Sequence, residues 1–284
     1  MTKNPLVRPY LKWAGGKGQL KGDLKDYFPK KADVGTYYEP FIGAGAMFFE
    51  HGYEKAVIND TNSDLMTTYR IVKNNLNELI PKLKEYEKKN NGSDYYVIRE
   101  QDRNKRIYDS LSDVEKTARF IYLNKTCYNG LYRVNSQGHF NTPFGNYKNP
   151  AICNENVLSA VSKFLNEKDI KMECKDFEEC VKKCVEGDFV YFDPPYHSPD
   201  NTNFTGYQSG GFNEREQERL FNVFKKLTNK GVKCTLSNAS TDFINKLYQE
   251  YEPKEIKASR QINSDPNGRG LVDEVVVINW GAKK

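Results

Sequence analysis

Seven short runs rich in β-branched and aromatic residues punctuate the chain: Tyr37 to Phe41, Ala56 to Asp60, Ile170 to Cys174, Phe189 to Asp193, Val232 to Ser237, Lys254 to Ser259 and Glu274 to Trp280. Helical patterns separate most of them, and strands alternating with helices predict a mostly parallel sheet with helices on both faces. Only a loop, Gln261 to Gly270, divides the last two runs, which predicts an antiparallel hairpin at one edge. The expected fold class is α/β, a seven-stranded mixed sheet.

From Thr61 to Asp169 the rhythm changes. Lys82 to Asn90, Ile98 to Tyr108 and Ser112 to Leu123 read as charged helices, and a turn-rich aromatic stretch follows. This predicts a mainly helical domain, 61–169, inserted into a larger one made of 1–60 and 170–284. Between Arg119 and Lys148 basic residues interleave with aromatics, and Asn129-Gly130 is the signature of a tight hairpin turn. Phe120, Phe140 and Phe144 are expected in the core of the insert. His197 to Gly211, rich in Asn, Thr, Ser and Gly, reads as a mobile loop. Asn213 with Glu216 three residues on predicts a capping-box start for a helix running through Leu227.

Composition narrows the class without naming a function. With 38% hydrophobic and 29% charged residues, the 284-residue chain reads as a soluble globular protein. No apolar run is long enough to span a bilayer, and Met-Thr-Lys-Asn-Pro at the start lacks a signal-peptide core, so the expected compartment is the cytoplasm. A net charge of +5 permits an anionic partner but does not require one. Six cysteines without a Cys-x-x-Cys pair, beside three histidines, make zinc and disulfides unexpected. Cys180 and Cys184, four apart on an expected helix, read as reduced packing residues.

The chemistry concentrates where the run at Phe189 stops in Asp193-Pro194-Pro195-Tyr196. Neither proline can donate a ladder hydrogen bond, so the acid must sit at a strand's carboxyl end. In open α/β sheets ligands bind there. A carboxylate, the Pro194 carbonyl and an aromatic ring suit a planar amine: two acceptors for one NH2 group and a surface on which the rest can stack.

A second cluster follows the first run, Tyr38-Glu39-Pro40-Phe41-Ile42-Gly43-Ala44-Gly45, whose glycines let backbone approach a ligand. The next run ends in Asn59-Asp60, where an acid can bind both ribose hydroxyls. Together these point to an adenosine-type cofactor. Phe48 replaces the third glycine of the dinucleotide fingerprint and would crowd a pyrophosphate, so a cofactor lacking phosphate fits better. Leu11 to Leu20 contains Lys17 after two glycines but fails the phosphate-loop pattern, since Leu11 and Gly18 stand where Gly and Ser/Thr are needed. Two readings stay open for it: a tight turn before a helix, or an indole and an amine placed against a small zwitterion.

Taken together, LKWAGGK, YYEPFIGAG, Asn59-Asp60, the Asp-Pro-Pro-Tyr motif and the block NKTCYNGLYRVNSQGHFNTPFGNYK resemble the Dam family of DNA adenine methyltransferases, and within it the Dam-like enzymes of restriction-modification systems. The likeness spans nearly the whole chain. It implies S-adenosylmethionine as methyl donor and GATC in double-stranded DNA as target, with 61–169 as target-recognition domain and the remainder as catalytic domain. It implies donor contacts at Trp13, Lys17, Asp60 and Asp193, and a methionine pocket shaped by Glu39, Phe41, Gly43 and Gly45. Asp193 and Tyr196 are similar to the residues that hold the flipped adenine. Tyr128, Asn129, Leu131 and Arg133 match the hairpin that enters DNA, with Arg133 as guanine reader. Arg133 would share a strand face with Leu131 and could grip guanine bidentately. A monomer is the expected state.

The residues also suggest a mechanism. Adenine's amino lone pair is delocalised into the ring, so the task is to localise it. Acceptance of its two hydrogens by Asp193 and the Pro194 carbonyl would aim the lone pair at the methyl group for direct in-line transfer. No cysteine follows a proline, which argues against a covalent cytosine mechanism. Three alternatives compete: methylation of RNA or of a glutamine amide, a non-catalytic DNA-binding regulator, and a nicotinamide oxidoreductase. The first usually carries Asn where Asp193 stands, the second needs a damaged donor pocket, and the third is disfavoured by Phe48.

Overall fold

The computed structural model describes residues 4–15, 17, 21–198, 211–259 and 271–281. Each expected run forms a strand: β1 (Tyr37–Glu39), β2 (Lys55–Asn59), β3 (Asp169–Glu173), β4 (Phe189–Phe192), β5 (Lys233–Ala239), β6 (Lys254–Ser259) and β7 (Leu271–Ile278). The α-helices are α1 (Lys21–Leu24), α2 (Ala46–His51), α3 (Ser63–Asn74), α4 (Leu76–Glu87), α5 (Gly92–Glu100), α6 (Lys105–Ser110), α7 (Asp113–Thr126), α8 (Glu155–Glu167), α9 (Phe177–Val181), α10 (Glu214–Asn229) and α11 (Asp242–Leu247). None is long and apolar enough to cross a membrane.

The strands make one sheet in the order β3-β2-β1-β4-β5-β7-β6. β1 runs parallel to β2 and β4, and β4 parallel to β5, while β7 is antiparallel to both β5 and β6. The mixed sheet and its edge hairpin are thus as expected, with the later strand of the hairpin lying inside the earlier one. Its connection at Gln261–Gly270 lies outside the described residues, as do 199–210 of the expected mobile loop.

Two compact units divide the chain: Met1–Gly16, Gly43–Phe49 and Asn62–Met172 form one, and Lys17–Ile42, Glu50–Thr61 and Glu173–Lys284 the other. In the second unit successive strand side chains point to opposite faces. Tyr38, Val190, Phe192, Leu236 and Val277 join Phe177 of α9, Leu220 and Phe224 of α10 and Ile244 of α11 in one core. On the other face Tyr37 stacks on Tyr53 at 4.7 Å, and Phe28 packs against Phe189 and Tyr191. Cover on both faces explains why these strands read as unbroken apolar runs. The helix starting after Asn213 closes only half of its box. Asn213 Oδ1 accepts from the Glu216 N–H at 3.2 Å, but the Glu216 carboxylate pairs with Arg219 at 2.7 Å. Helix α9 ends before Cys184, and both Cys180 and Cys184 are buried.

The first unit is built on α7, which packs against α3, α4 and α5. Its start carries a complete capping box between Ser112 and Glu115. The single helix expected over Ile98 to Tyr108 is instead two. α5 stops at Glu100, and Asn104 starts α6 by accepting from the Ile107 N–H, because an Asn side chain competes for backbone donors inside a helix. Phe120 and Phe140 are buried as expected, and Phe144 is half-buried.

The hairpin expectation needs a correction. Asn129 and Gly130 do adopt positive φ, 53° and 64°, as a tight hairpin turn requires. The antiparallel bridges, however, join Cys127 to Phe144 and Val134 to Phe140, so the chain reverses at Asn135–His139. Side chains rather than a ladder hold Asn129-Gly130: Tyr147 Oη accepts from the Asn129 N–H at 3.0 Å, and Asn124 Nδ2 donates to the Gly130 carbonyl at 3.3 Å.

Candidate active site

The strand order reverses at β1, whose neighbours β2 and β4 leave it on opposite sides. At such a switch point the connections diverge and leave a crevice at the carboxyl ends of the strands. Glu39 ends β1, Asn59 ends β2 with Asp60 just beyond, and Asp193 follows β4. All four belong to the second unit. Glu39 is 2% exposed, and its Oε2 accepts from the Tyr37 hydroxyl at 2.5 Å. Asn59 is structural: its Nδ2 donates to the carbonyls of Pro40 and Lys175, and its Oδ1 accepts from the Lys175 N–H. Asp60 is half-buried, and Phe41 packs on Phe177 and Phe212.

Above β4 three residues of the expected site meet. Lys17 Nζ lies 2.7 Å from Asp193 Oδ1 and 4.4 Å from the centroid of the Tyr196 ring, with the lysine only 4% exposed. The Tyr196 hydroxyl donates to Glu274 Oε2 at 2.6 Å. Burial pushes the Asp193 carboxyl up, the Lys17 ammonium draws it back down and the Glu274 carboxylate adds a smaller upward push, leaving it at about 6. Burial, with the charges of Asp193 and Glu274, holds the Tyr196 hydroxyl well above the phenol range, so it remains a donor. At neutral pH the site therefore presents an ionised acceptor beside an aromatic face.

The first unit contains the other candidates. Trp13 stacks on Tyr132 at 5.6 Å and on Phe120 at 6.3 Å. Gly43 has φ of 48°, its carbonyl accepts from the Tyr69 hydroxyl, and a Cβ there would come within 2.8 Å of Trp13 Cδ1. A Cβ at Gly45, φ 75°, would meet Tyr69 Oη at 2.8 Å. The close approach that demands these glycines is thus to side chains of the protein itself. Phe48 is fully buried and packs edge-to-face on Phe164, so its ring fills the core instead of crowding the start of α2.

Among the expected DNA contacts, Tyr128 is 50% exposed and Leu131 half-buried. The Arg133 guanidinium is held by Asn141: Nε donates to Oδ1 at 2.8 Å and Nη2 to the carbonyl at 3.3 Å. Lys12 Nζ lies 4.2 Å above the Tyr147 ring, while Lys12 backbone exchanges hydrogen bonds with the Asn124 amide. Lys12, Asn124, Asn141 and Glu274 escaped the sequence reading. Lys12, Asn124 and Asn141 lie inside the quoted motifs and Glu274 opens the last expected strand, but nothing in the pattern assigned any of them a role.

The donor set fits S-adenosylmethionine. A buried acid ends β1, a second acid follows β2 and an ammonium–carboxylate pair follows β4, which suits a ligand bearing an amino-acid head and a ribose.

Comparison with known proteins gives the same direction. The model of the D12 class N6 adenine-specific DNA methyltransferase family matches residues 13–262. The chain is similar to the Type II methyltransferase M1.LlaDCHI of Lactococcus lactis subsp. cremoris, 42% identical over 99% of each chain. It is 41% identical to the Type II methyltransferase M.MjaIII of Methanocaldococcus jannaschii, covering 96% of this chain and 99% of that one. A DNA adenine methylase of Escherichia coli (strain K12) is 32% identical, covering 98% of this chain and 96% of its own.

Proposed function

We infer the target from membership: this chain belongs to the D12 class of N6 adenine-specific DNA methyltransferases, and its substrate is the adenine of GATC in double-stranded DNA. The observation that carries the reading is the Lys17–Asp193–Tyr196 assembly at the carboxyl end of β4. S-adenosylmethionine, when bound, supplies an electrophilic methyl group. Asp193 and the Pro194 carbonyl accept the two amino hydrogens of adenine and localise the nitrogen lone pair. Lys17 favours the ionised form of Asp193, which must accept rather than donate. Glu274 fixes the Tyr196 ring through its hydroxyl.

A base stacked in a duplex cannot reach the end of a strand, so the adenine rotates out and Tyr196 replaces its lost stacking. Lys17, Glu39, Phe41 and Asp60 serve the donor, and the family resemblance assigns the same role to Trp13, Gly43 and Gly45. Residues 61–169 recognise the sequence, with Tyr128, Asn129 and Leu131 entering the duplex and Arg133 reading guanine. The relatives named Type II methyltransferases support a restriction-modification setting, and a DNA substrate suits a cytoplasmic enzyme, which we take to act as a monomer.

The test is incubation of the purified protein with methyl-labelled donor and two duplexes that differ only in GATC against GTAC. Label on adenine of the GATC duplex alone is expected. Equal labelling of both duplexes removes the specificity, and label on cytosine removes the proposed chemistry.

A further inference from the structure

Tyr196 lies in a stretch without regular structure, yet the peptide groups on both sides of it are hydrogen-bonded to buried side chains from two other elements. Gln217 Nε2, on α10, donates to the Pro195 carbonyl at 3.0 Å. The His197 N–H donates to Asn238 Oδ1, on β5, at 3.0 Å. The two amides are joined, Asn238 Nδ2 donating to Gln217 Oε1 at 3.0 Å, and Asn238 Oδ1 also accepts from the Ala239 N–H at 2.9 Å. Gln217 and Asn238 are both completely buried.

We propose that Gln217 and Asn238 form a relay of positioning residues that sets the posture of Tyr196, and through it the rate of methyl transfer; this rests on the reading of the site given above. The polarity of the relay is forced from its ends. The Pro195 carbonyl can only accept, so it selects the NH2 face of Gln217. The His197 N–H can only donate, so it selects the oxygen of Asn238. The remaining oxygen of Gln217 then faces the remaining NH2 of Asn238, and the chain closes with every link satisfied. Reversing either amide would set like poles against each other at two places. Between two fully buried amides that arrangement has a single low-energy state, which is what a loop carrying a stacking ring needs. A bare Asp-Pro-Pro-Tyr turn lacks such a restraint.

The two amides bond the backbone beside Tyr196 and each other, so their loss is expected in kcat and not in binding. Gln217→Met keeps side-chain length and adds no charge while removing the donor to Pro195. Asn238→Asp keeps the acceptor for His197 while removing the donor to Gln217. Because small misplacements at a reacting centre are costly, each variant is expected to lose between about ten- and a hundredfold in kcat. Donor KM, donor affinity by calorimetry and duplex affinity should stay within about twofold. Base extrusion, followed by fluorescence of 2-aminopurine at the target position, should persist with a changed bound-state emission, as the ring beneath the base shifts.

Unchanged kcat in either variant shows that the loop does not depend on the relay. A loss of kcat that runs in parallel with losses of donor and duplex affinity shows that the two amides merely support the fold. Either result overturns the proposal. If the unmodified protein itself transfers no methyl group to adenine, the failure belongs to the functional reading and not to the relay.

Discussion

The Lys17 ammonium lies 2.7 Å from Asp193 Oδ1, and the same ammonium lies 4.4 Å from the centroid of the Tyr196 ring. One buried cation therefore contacts both the acceptor and the stacking surface of the proposed chemistry. Burial alone would push Asp193 toward its neutral, hydrogen-bond-donating form, useless for gripping an amino group. Lys17 opposes that shift, and the two effects leave the carboxyl at about 6.

The first prediction is a pH profile. Activity needs the Asp193 carboxylate, so kcat should fall as pH drops through about 6. Because the folded value lies above that of the unfolded chain, ionising Asp193 costs stability: its contribution is most favourable below about 4 and is lost as pH rises through about 6. Lys17→Met removes the group that lowers this value and should move the acid limb to higher pH. A limb that stays in place in that variant separates Lys17 from the titration.

Replacement of Asp193 itself should be severe. Asp193→Ala is expected to lower kcat by ~10²–10³ or more, the scale for removal of a preorganised polar group at a reacting centre. Donor binding, measured by calorimetry, should survive in weakened form. Turnover close to that of the unmodified protein would exclude the proposed role.

Tyr196 separates ring from hydroxyl. Tyr196→Ala removes the stacking surface and should cost ~1–3 kcal/mol in affinity for an extruded base. Tyr196→Phe keeps the ring but leaves the buried Glu274 without its 2.6 Å donor, so a milder loss is expected, with kcat affected more than donor KM. Titration with duplexes carrying 2-aminopurine at the target ranks the two; equal losses would assign the function to the hydroxyl.

Sequence discrimination should lie with Arg133 and, behind it, Asn141. Arg133→Ala is expected to cost ~1–3 kcal/mol at one guanine and little on unrelated duplex. Arg133→Lys should not rescue it, since an ammonium lacks the planar fork. Asn141→Ala removes the 2.8 Å side-chain hydrogen bond that orients the guanidinium while leaving the 3.3 Å bond to the backbone carbonyl, and should blunt discrimination in the same direction. Binding competitions between GATC and single-base variants measure this, and uniform losses across all duplexes would instead indicate a phosphate contact.

Gly43→Ala tests the packing of the first unit. The new Cβ would lie 2.8 Å from Trp13 Cδ1 at a φ of 48°, and we expect ~1–3 kcal/mol of destabilisation with altered tryptophan emission. A denaturant midpoint equal to that of the unmodified protein would show that the indole yields without cost.

Local regularities carried much of this structure in the sequence itself. Apolar runs such as Phe189–Phe192 produce strands covered on both faces, the seven short β-rich runs together forecast seven strands, and two prolines beyond Asp193 end β4 wherever the rest of the chain goes. The class of the sheet, its antiparallel edge and the position of Asp193 at a strand terminus follow from such nearest-neighbour physics. Partner choice does not. Lys17 on Asp193, Glu274 on Tyr196 and the Gln217–Asn238 pair join residues remote in the chain, and Asn141 reaches Arg133 across a chain reversal. The chain reversal at Asn135–His139, where the sequence pointed to Asn129-Gly130, was likewise decided by Asn124 and Tyr147 reaching in from elsewhere. Buried polar groups must find partners among whatever the fold brings within about 3 Å, and that set exists only once the chain is folded.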